Sequence, residues 1–146
     1  KFVRDFVGTE RAMKALDLVS VDQIMHQAQY KYEGLAIEDA LAWFREHNND
    51  YLLVCSEDKK PLGYVSYNDL IADYSSTGVI DSYIKDLYTV LHPHDTLKEA
   101  LNIMVTNEVT TLCVVQDKKL VGVVRFADIQ DYLTENYHQS NRELRA

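Results

Sequence analysis

A chain of 146 residues with 47% hydrophobic and 26% charged side chains is long enough to bury a core and has the balance of an ordinary globular protein. Its formal charge of −8 and pI near 5.0 argue against a sequence-blind attraction of the whole surface to nucleic-acid phosphates or an anionic membrane. No DNA or RNA partner is therefore expected, and any anionic ligand must be held by a local site. Cys55 and Cys113 each lie in an apolar run, the pattern of buried thiols in a reducing compartment rather than of a disulfide framework. No apolar run approaches the ~18 residues that cross a bilayer. The opening Lys1-Phe2-Val3-Arg4 has neither a signal peptide's apolar core nor an initiator Met, so the chain is expected to be a fragment of a longer protein.

In chain order, residues 9–16 follow the N-capping Thr9 and read as a short helix within a linker spanning residues 1–19. Ser20 with Gln23 has the spacing of a capping box. Ile37, Ala40, Leu41 and Phe44 recur at helical spacing; residues 52–55 form an apolar strand, 56–60 a charged turn, 62–66 a second strand and 68–74 an amphipathic helix. The same grammar then returns. After a short strand near Val90 and a capping box at Thr96 and Glu99, Leu97, Ala100, Leu101 and Met104 mark a helix. Strands over 112–115 and 120–124 flank the turn 116–119, and a helix covers 126–137. The polar tail, 138–146, is expected to fray.

The two halves are copies. Leu62-Gly63-Tyr64-Val65-Ser66-Tyr67-Asn68-Asp69-Leu70 aligns with Val121-Gly122-Val123-Val124-Arg125-Phe126-Ala127-Asp128-Ile129 at a constant shift of 59. Asp39-Ala40-Leu41-Ala42-Trp43-Phe44 meets Glu99-Ala100-Leu101-Asn102-Ile103-Met104 at a shift of 60, as Tyr51-Leu52-Leu53-Val54 meets Thr111-Leu112-Cys113-Val114, so one residue is gained or lost in the turn near Pro61. The repeats are placed at 20–80 and 81–137. One such unit buries little area alone, which makes the pair the expected folding unit.

This doubled pattern, an apolar strand, a charged turn, Leu-Gly-x-Val or Val-Gly-Val-Val, then an Asp three residues after Ser66 and after Arg125, resembles the CBS domain pair (Bateman module) over residues from about 20 to 135. The resemblance implies an α/β (α+β) fold of two β-α-β-β-α units packed sheet to sheet with pseudo-twofold symmetry. It also implies two clefts between the repeats that take adenosine-containing ligands, and pairing into homodimers. A narrower resemblance lies in Phe2-Val3-Arg4-Asp5-Phe6-Val7-Gly8-Thr9-Glu10-Arg11 running into Leu18-Val19-Ser20-Val21-Asp22-Gln23-Ile24-Met25. It is similar to the joint between the ATPase domain and the CBS pair in ATP-binding subunits of ABC importers for glycine betaine, carnitine or choline. That similarity implies an upstream ATPase domain, membrane permease subunits as partners, a cytoplasmic place at the inner face of the cell membrane, and cyclic di-AMP as ligand. The residues by themselves imply only an adenine nucleotide such as AMP or ATP.

Ser66 and Asp69 match the family motif in which a hydroxyl and an Asp three positions on hold phosphate and ribose. A strand-to-helix junction suits this, because free backbone amides can face an anion while the carboxylate accepts from ribose hydroxyls. The plainer alternative is a strand end followed by an acid in the first turn of a helix, where an acid is favoured anyway. In the second copy Arg125 replaces the hydroxyl residue and Asp128 is kept. A guanidinium can pair bidentately with a phosphate, or with Asp128 or Glu99 on the surface. Gln27, Ala28, Tyr51, Val109, Thr110 and Val123 are the candidates for an apolar adenine slot near Arg125, Tyr51 as a stacking ring and Thr110 as a polar contact; most are equally explained as core.

His92-Pro93-His94 lacks acid or Cys partners at metal-ligand spacing and reads as a solvated turn. No nucleophile elbow, paired catalytic acids or GxxxxGK sequence is present, so the chain reads as a regulatory module rather than an enzyme, with no cofactor. The competing reading is a ligand-free module for dimerisation or ionic-strength sensing, acting through Lys59-Lys60 and Lys118-Lys119 at equivalent turns.

Overall fold

The computed structural model describes residues 2–72, 77–87 and 89–145. Helix α1 (Phe2–Leu18) leads into β1 (Tyr30–Tyr32), α2 (Ile37–His47), β2 (Tyr51–Cys55), β3 (Pro61–Ser66) and α3 (Tyr67–Ala72). The second copy follows as β4 (Val90–Leu91), α4 (Leu97–Asn107), β5 (Thr111–Gln116), β6 (Lys119–Arg125) and α5 (Phe126–Arg145). Each copy makes its own three-stranded sheet, ordered β1-β2-β3 and β4-β5-β6. In the first, β1 runs parallel to β2 and β2 antiparallel to β3; in the second, β4 runs parallel to β5.

The chain divides into two compact units whose borders are not those of the sequence repeat. One gathers Lys1–Gln27, Thr89–Gln116 and Val121–Ala146; the other gathers Ala28–Tyr88 and Asp117–Leu120. The lead-in to the first repeat thus folds with the second repeat's sheet. In the first of these units Val21, Leu91, Leu97, Ala100, Met104, Val114, Val124 and Ile129 form the core, with α1 contributing Ala15. In the other, Ile37, Ala40, Phe44, Leu52, Val54, Val65, Leu70 and Ile80 do the same. The equivalent helices α2 and α4 both end on a left-handed residue, Asn48 (φ 51°) and Glu108 (φ 55°).

Several local expectations change. Ser20 and Gln23 do not cap an α-helix. Residues Val21–Gln23 form one 3₁₀ turn in which the Ser20 hydroxyl pairs with Asp22 and the Gln23 amide donates to Ser20 at 3.3 Å, because Val21 must insert fully buried into the core. At Thr96 the expected cap forms, its hydroxyl accepting from the Glu99 amide at 3.1 Å. Helix α1 is longer than its capping signal suggested and packs on α5. Helix α5 continues to Arg145, through the tail whose polarity suggested fraying. Tyr74, the expected end of the third helix, lies outside the described residues. The entry strand of the first repeat, implied by the β-α-β-β-α pattern, is the short β1 at Tyr30-Lys31-Tyr32, and Gln27 and Ala28 precede it rather than lie in it.

Both lead-in segments lie against a strand at a glycine. His26 and Val123 exchange two backbone hydrogen bonds of 2.9 Å; Lys85 and Tyr64 exchange a pair of 2.8 and 2.9 Å. A Cβ built on Gly63 would stand 2.1 Å from the Lys85 carbonyl oxygen, and one on Gly122 would stand 2.9 Å from the Met25 sulfur and 3.0 Å from the His26 carbonyl oxygen. Gly63→Ala must therefore displace backbone, whereas the flexible Met25 can yield in part. Urea unfolding should find Gly63→Ala destabilised by roughly 2–3 kcal/mol and Gly122→Ala by less, within the range for overpacked sites. Glu108→Gly should stabilise by about 1 kcal/mol, since it relieves a Cβ held at positive φ, and its thermal midpoint should rise accordingly.

Candidate functional site

At the β6–α5 junction the chain turns from strand to helix at Arg125-Phe126, and Asp128 lands in the first helical turn, facing back toward the strand end. Its carboxylate is nearly saturated. Oδ2 accepts from the Arg125 backbone amide at 2.9 Å and from Arg125 Nε at 3.2 Å. Oδ1 accepts from an Arg125 terminal nitrogen at 3.1 Å and lies 3.0 Å from His26 Nε2. The Asp128 side chain is 7% exposed, whereas those of Arg125 and His26 are each 56% exposed, so two cation-forming groups sit on the solvent side of a buried anion. Burial works to raise the Asp128 carboxyl. The side-chain and backbone hydrogen bonds from Arg125, its charge and His26 outweigh that and hold the carboxyl below the usual carboxylate range.

The β3–α3 junction repeats this frame with different groups. Ser66 is half-buried at the strand end opposite Tyr51, and Asp69 pairs with Lys85 Nζ at 2.8 Å. At both junctions the first helical amide is already satisfied: Tyr67 donates to the Asp50 carbonyl at 2.9 Å and Phe126 to the Thr110 carbonyl at 2.8 Å. One amide at each junction is thus taken up in closing the turn.

Of the residues singled out in sequence, Arg125, Asp128, Val123, Thr110, Val109 and Gln27 belong to one compact unit and Tyr51 and Ala28 to the other. Within the first, Thr110 is tied to the Arg125 turn through its carbonyl, Val123 is half-buried in β6 beside His26, and Gln27 follows His26, exposed. Val109 is half-buried, its amide donating to Met104 at 3.0 Å. Tyr51, in β2, sets its ring edge-on to Tyr64 with centroids 6.5 Å apart, while Ala28 is half-buried. Ser66 and Asp69 come together in the second unit. Arg125 pairs with Asp128, one of the two partners foreseen.

Sequence reasoning missed His26 and Lys85. The signal was present: Val21-Asp22-Gln23-Ile24-Met25-His26 and Ile80-Asp81-Ser82-Tyr83-Ile84-Lys85 align at the same shift of 59. Elsewhere, His92 and His94 lie 3.8 and 4.0 Å from Asp95 and Asp22, each a solvated contact. Burial pushes the Cys55 thiol up to about 11, against a smaller opposing pull from Lys59, which keeps it an unreactive core group. Among the described residues no helix is long and apolar enough to cross a membrane.

Residues 81–135 match the family model of the CBS domain. The fold of the chain is that of a CBS domain pair. Among solved structures, the CBS domain of a bacterial CNNM/CorC family Mg2+ transporter in complex with ATP is similar with a TM-score of 0.75 at 18% identity, covering 86% of this chain and 94% of that one. The CBS domain pair of protein MJ0100, solved with 5′-methylthioadenosine and S-adenosyl-L-methionine, has a TM-score of 0.65 at 19% identity over 80% of this chain and 97% of that one. In sequence, the chain is 25% identical over its whole length to the choline transport ATP-binding protein OpuBA of Bacillus subtilis, of which it spans 39%.

The Asp128 arrangement has a pH signature. Its folded pKa lies below the unfolded value of about 3.9, so the stabilisation is fully present above that value and is lost as pH falls through the lower, folded pKa. Asp128→Asn should lower the urea-unfolding stability by roughly 1–3 kcal/mol at neutral pH. The gap from the parent protein should stay constant down to about pH 5 and close in more acidic solution.

Proposed function

We propose that this chain is the regulatory adenine-nucleotide-sensing module of an ABC importer ATPase for an osmolyte such as betaine, carnitine or choline. In this reading it binds cyclic di-AMP at a homodimer interface and thereby lowers transport. The observation that carries the reading is the Arg125–Asp128 pair. A guanidinium held at a strand-to-helix junction by a buried carboxylate, with its own side chain 56% exposed, stands where a phosphodiester can reach it. Because Asp128 already accepts from Arg125 and faces His26, clasping a ribose there would mean displacing those partners. This favours a ligand recognised by its phosphates over a mononucleotide clasped by its sugar.

The nucleotide class is supported by the bound ATP, methylthioadenosine and S-adenosylmethionine of the similar structures, and the transporter context by the whole-length similarity to OpuBA. In this reading the ATPase domain precedes the chain, permease subunits are its partners, and it works in the cytoplasm at the inner face of the membrane. A symmetric dinucleotide suits a symmetric pair of chains, and regulation requires that it favour one arrangement of the modules by a coupling of ~1–3 kcal/mol.

Isothermal titration with cyclic di-AMP, with AMP and ATP as controls, tests the proposal. Binding at one cyclic di-AMP per two chains, weakened at least tenfold in an Arg125→Ala variant that still unfolds cooperatively, is the expected result. Heat with AMP or ATP alone, abolished by Asp69→Asn, would move the ligand to the Ser66 and Asp69 junction. Silence with all three would favour the ligand-free dimerisation or ionic-strength module.

A further inference from the structure

The two junctions share one frame and differ in one chemical respect. His26 and Lys85 stand at equivalent positions of the repeat, each locked by a pair of backbone hydrogen bonds to the strand that carries the junction. Each places its side chain on the helix Asp, at 3.0 Å for His26 and Asp128 and at 2.8 Å for Lys85 and Asp69. An ammonium stays charged throughout the neutral range, whereas an imidazole changes charge within it. At the Arg125 junction the guanidinium pairs with the Asp128 carboxylate. A proton on His26 therefore adds one positive charge beside that pair, on its solvent-facing side. Both exposed groups, His26 and Arg125, lie outside the buried carboxylate, where an incoming anion meets them first.

We propose that His26 is a contact residue for the anionic ligand of the Arg125 junction and that binding there takes up a proton on its imidazole. Beside His26 stand two charged groups, Asp128 of α5 and Arg125 of β6, which meet it at Asp128 Oδ1; the paired Val123 is apolar. An anion bound against His26 and Arg125 interacts more favourably with a charged imidazole than with a neutral one, so by linkage the ligand binds more tightly as pH falls. The Lys85 junction has no such dependence, its cation being already charged. The inference rests on the reading of the Arg125 junction as an anion site.

Cyclic di-AMP is the appropriate probe because its phosphodiesters do not titrate near neutrality, so any pH dependence belongs to the protein. Calorimetry on the full chain at about pH 6 and about pH 8, in two buffers of different ionisation enthalpy, should show affinity rising roughly five- to twentyfold toward the acidic end. The heat should depend on the buffer in the sense of proton uptake. His26→Lys, which copies Lys85, should bind at pH 8 about as tightly as the parent does at pH 6, with the uptake gone. His26→Gln should bind weakly and equally at both. Binding that still needs Arg125 but is flat in pH, or a pH dependence that survives in His26→Gln, overturns the role of His26 and leaves the site reading standing. Loss of dependence on Arg125, or no binding at either pH, overturns both. The backbone pairing of His26 with Val123 is kept in both variants, and thermal unfolding checks that each folds although its side-chain contact with Asp128 is changed.

Discussion

Two stretches of bare backbone, Gly63 and Gly122, decide where everything else in the site can lie. Each lets the lead-in segment of a repeat come within hydrogen-bonding distance of a strand, with carbonyl oxygens where any other residue would put a Cβ. Because the segment is locked by its main chain, the side chain that follows is delivered to a fixed place. His26 arrives at the β6–α5 turn and Lys85 at the β3–α3 turn. The Asp in each first helical turn then has a nitrogen partner from another segment of the chain, 102 residues away for His26 and Asp128.

The carboxylates do more than pair. Asp128 closes its own turn by accepting from the Arg125 amide, and it also holds the guanidinium flat against the turn. A long cationic side chain otherwise loses much rotamer freedom when it meets a ligand, and fixing it beforehand lowers that cost. The buried carboxylate is thus a positioning group whose effect is expressed through an exposed neighbour. Ser66 needs no such support, because a short hydroxyl at a strand end has little freedom to lose.

Much of the architecture was legible in the sequence because the repeat reports on it twice. Leu97, Ala100 and Met104 match Ile37, Ala40 and Phe44 in both spacing and burial, and the two Gly-containing strands fall in register. What escaped was set by tertiary contact. The turn at Val21–Gln23 carries the signature of an α-helical cap yet is only 3₁₀, since burial of Val21 outweighs the local signal. At the site, Ser66, Asp69, Arg125 and Asp128 could be found from local motif spacing. His26 and Lys85 could not, because their role comes from a strand pairing that no local period encodes. The occupied amides of Tyr67 and Phe126 were invisible for the same reason, their partners Asp50 and Thr110 lying on the preceding strand-loop.

The chain's order in time follows from how its compact units are threaded. One is almost continuous, Ala28–Tyr88, while the other takes its first 27 residues from before that stretch and the rest from after it. On a ribosome delivering about 5–20 residues per second, the inner unit emerges nearly whole while helix α1 still lacks α4 and α5 and the Val21–Gln23 turn still lacks the Pro93 and Asp95 carbonyls that hold it. The segment made just before the inner unit is therefore fixed after it, and its apolar residues, Ala15, Val19 and Val21, wait several seconds for a core made almost entirely of later chain. Closing that long loop late is the entropic consequence of exchanging lead-in segments between repeats, and it makes the duplicated pair, rather than the single repeat, the smallest piece that biosynthesis can complete.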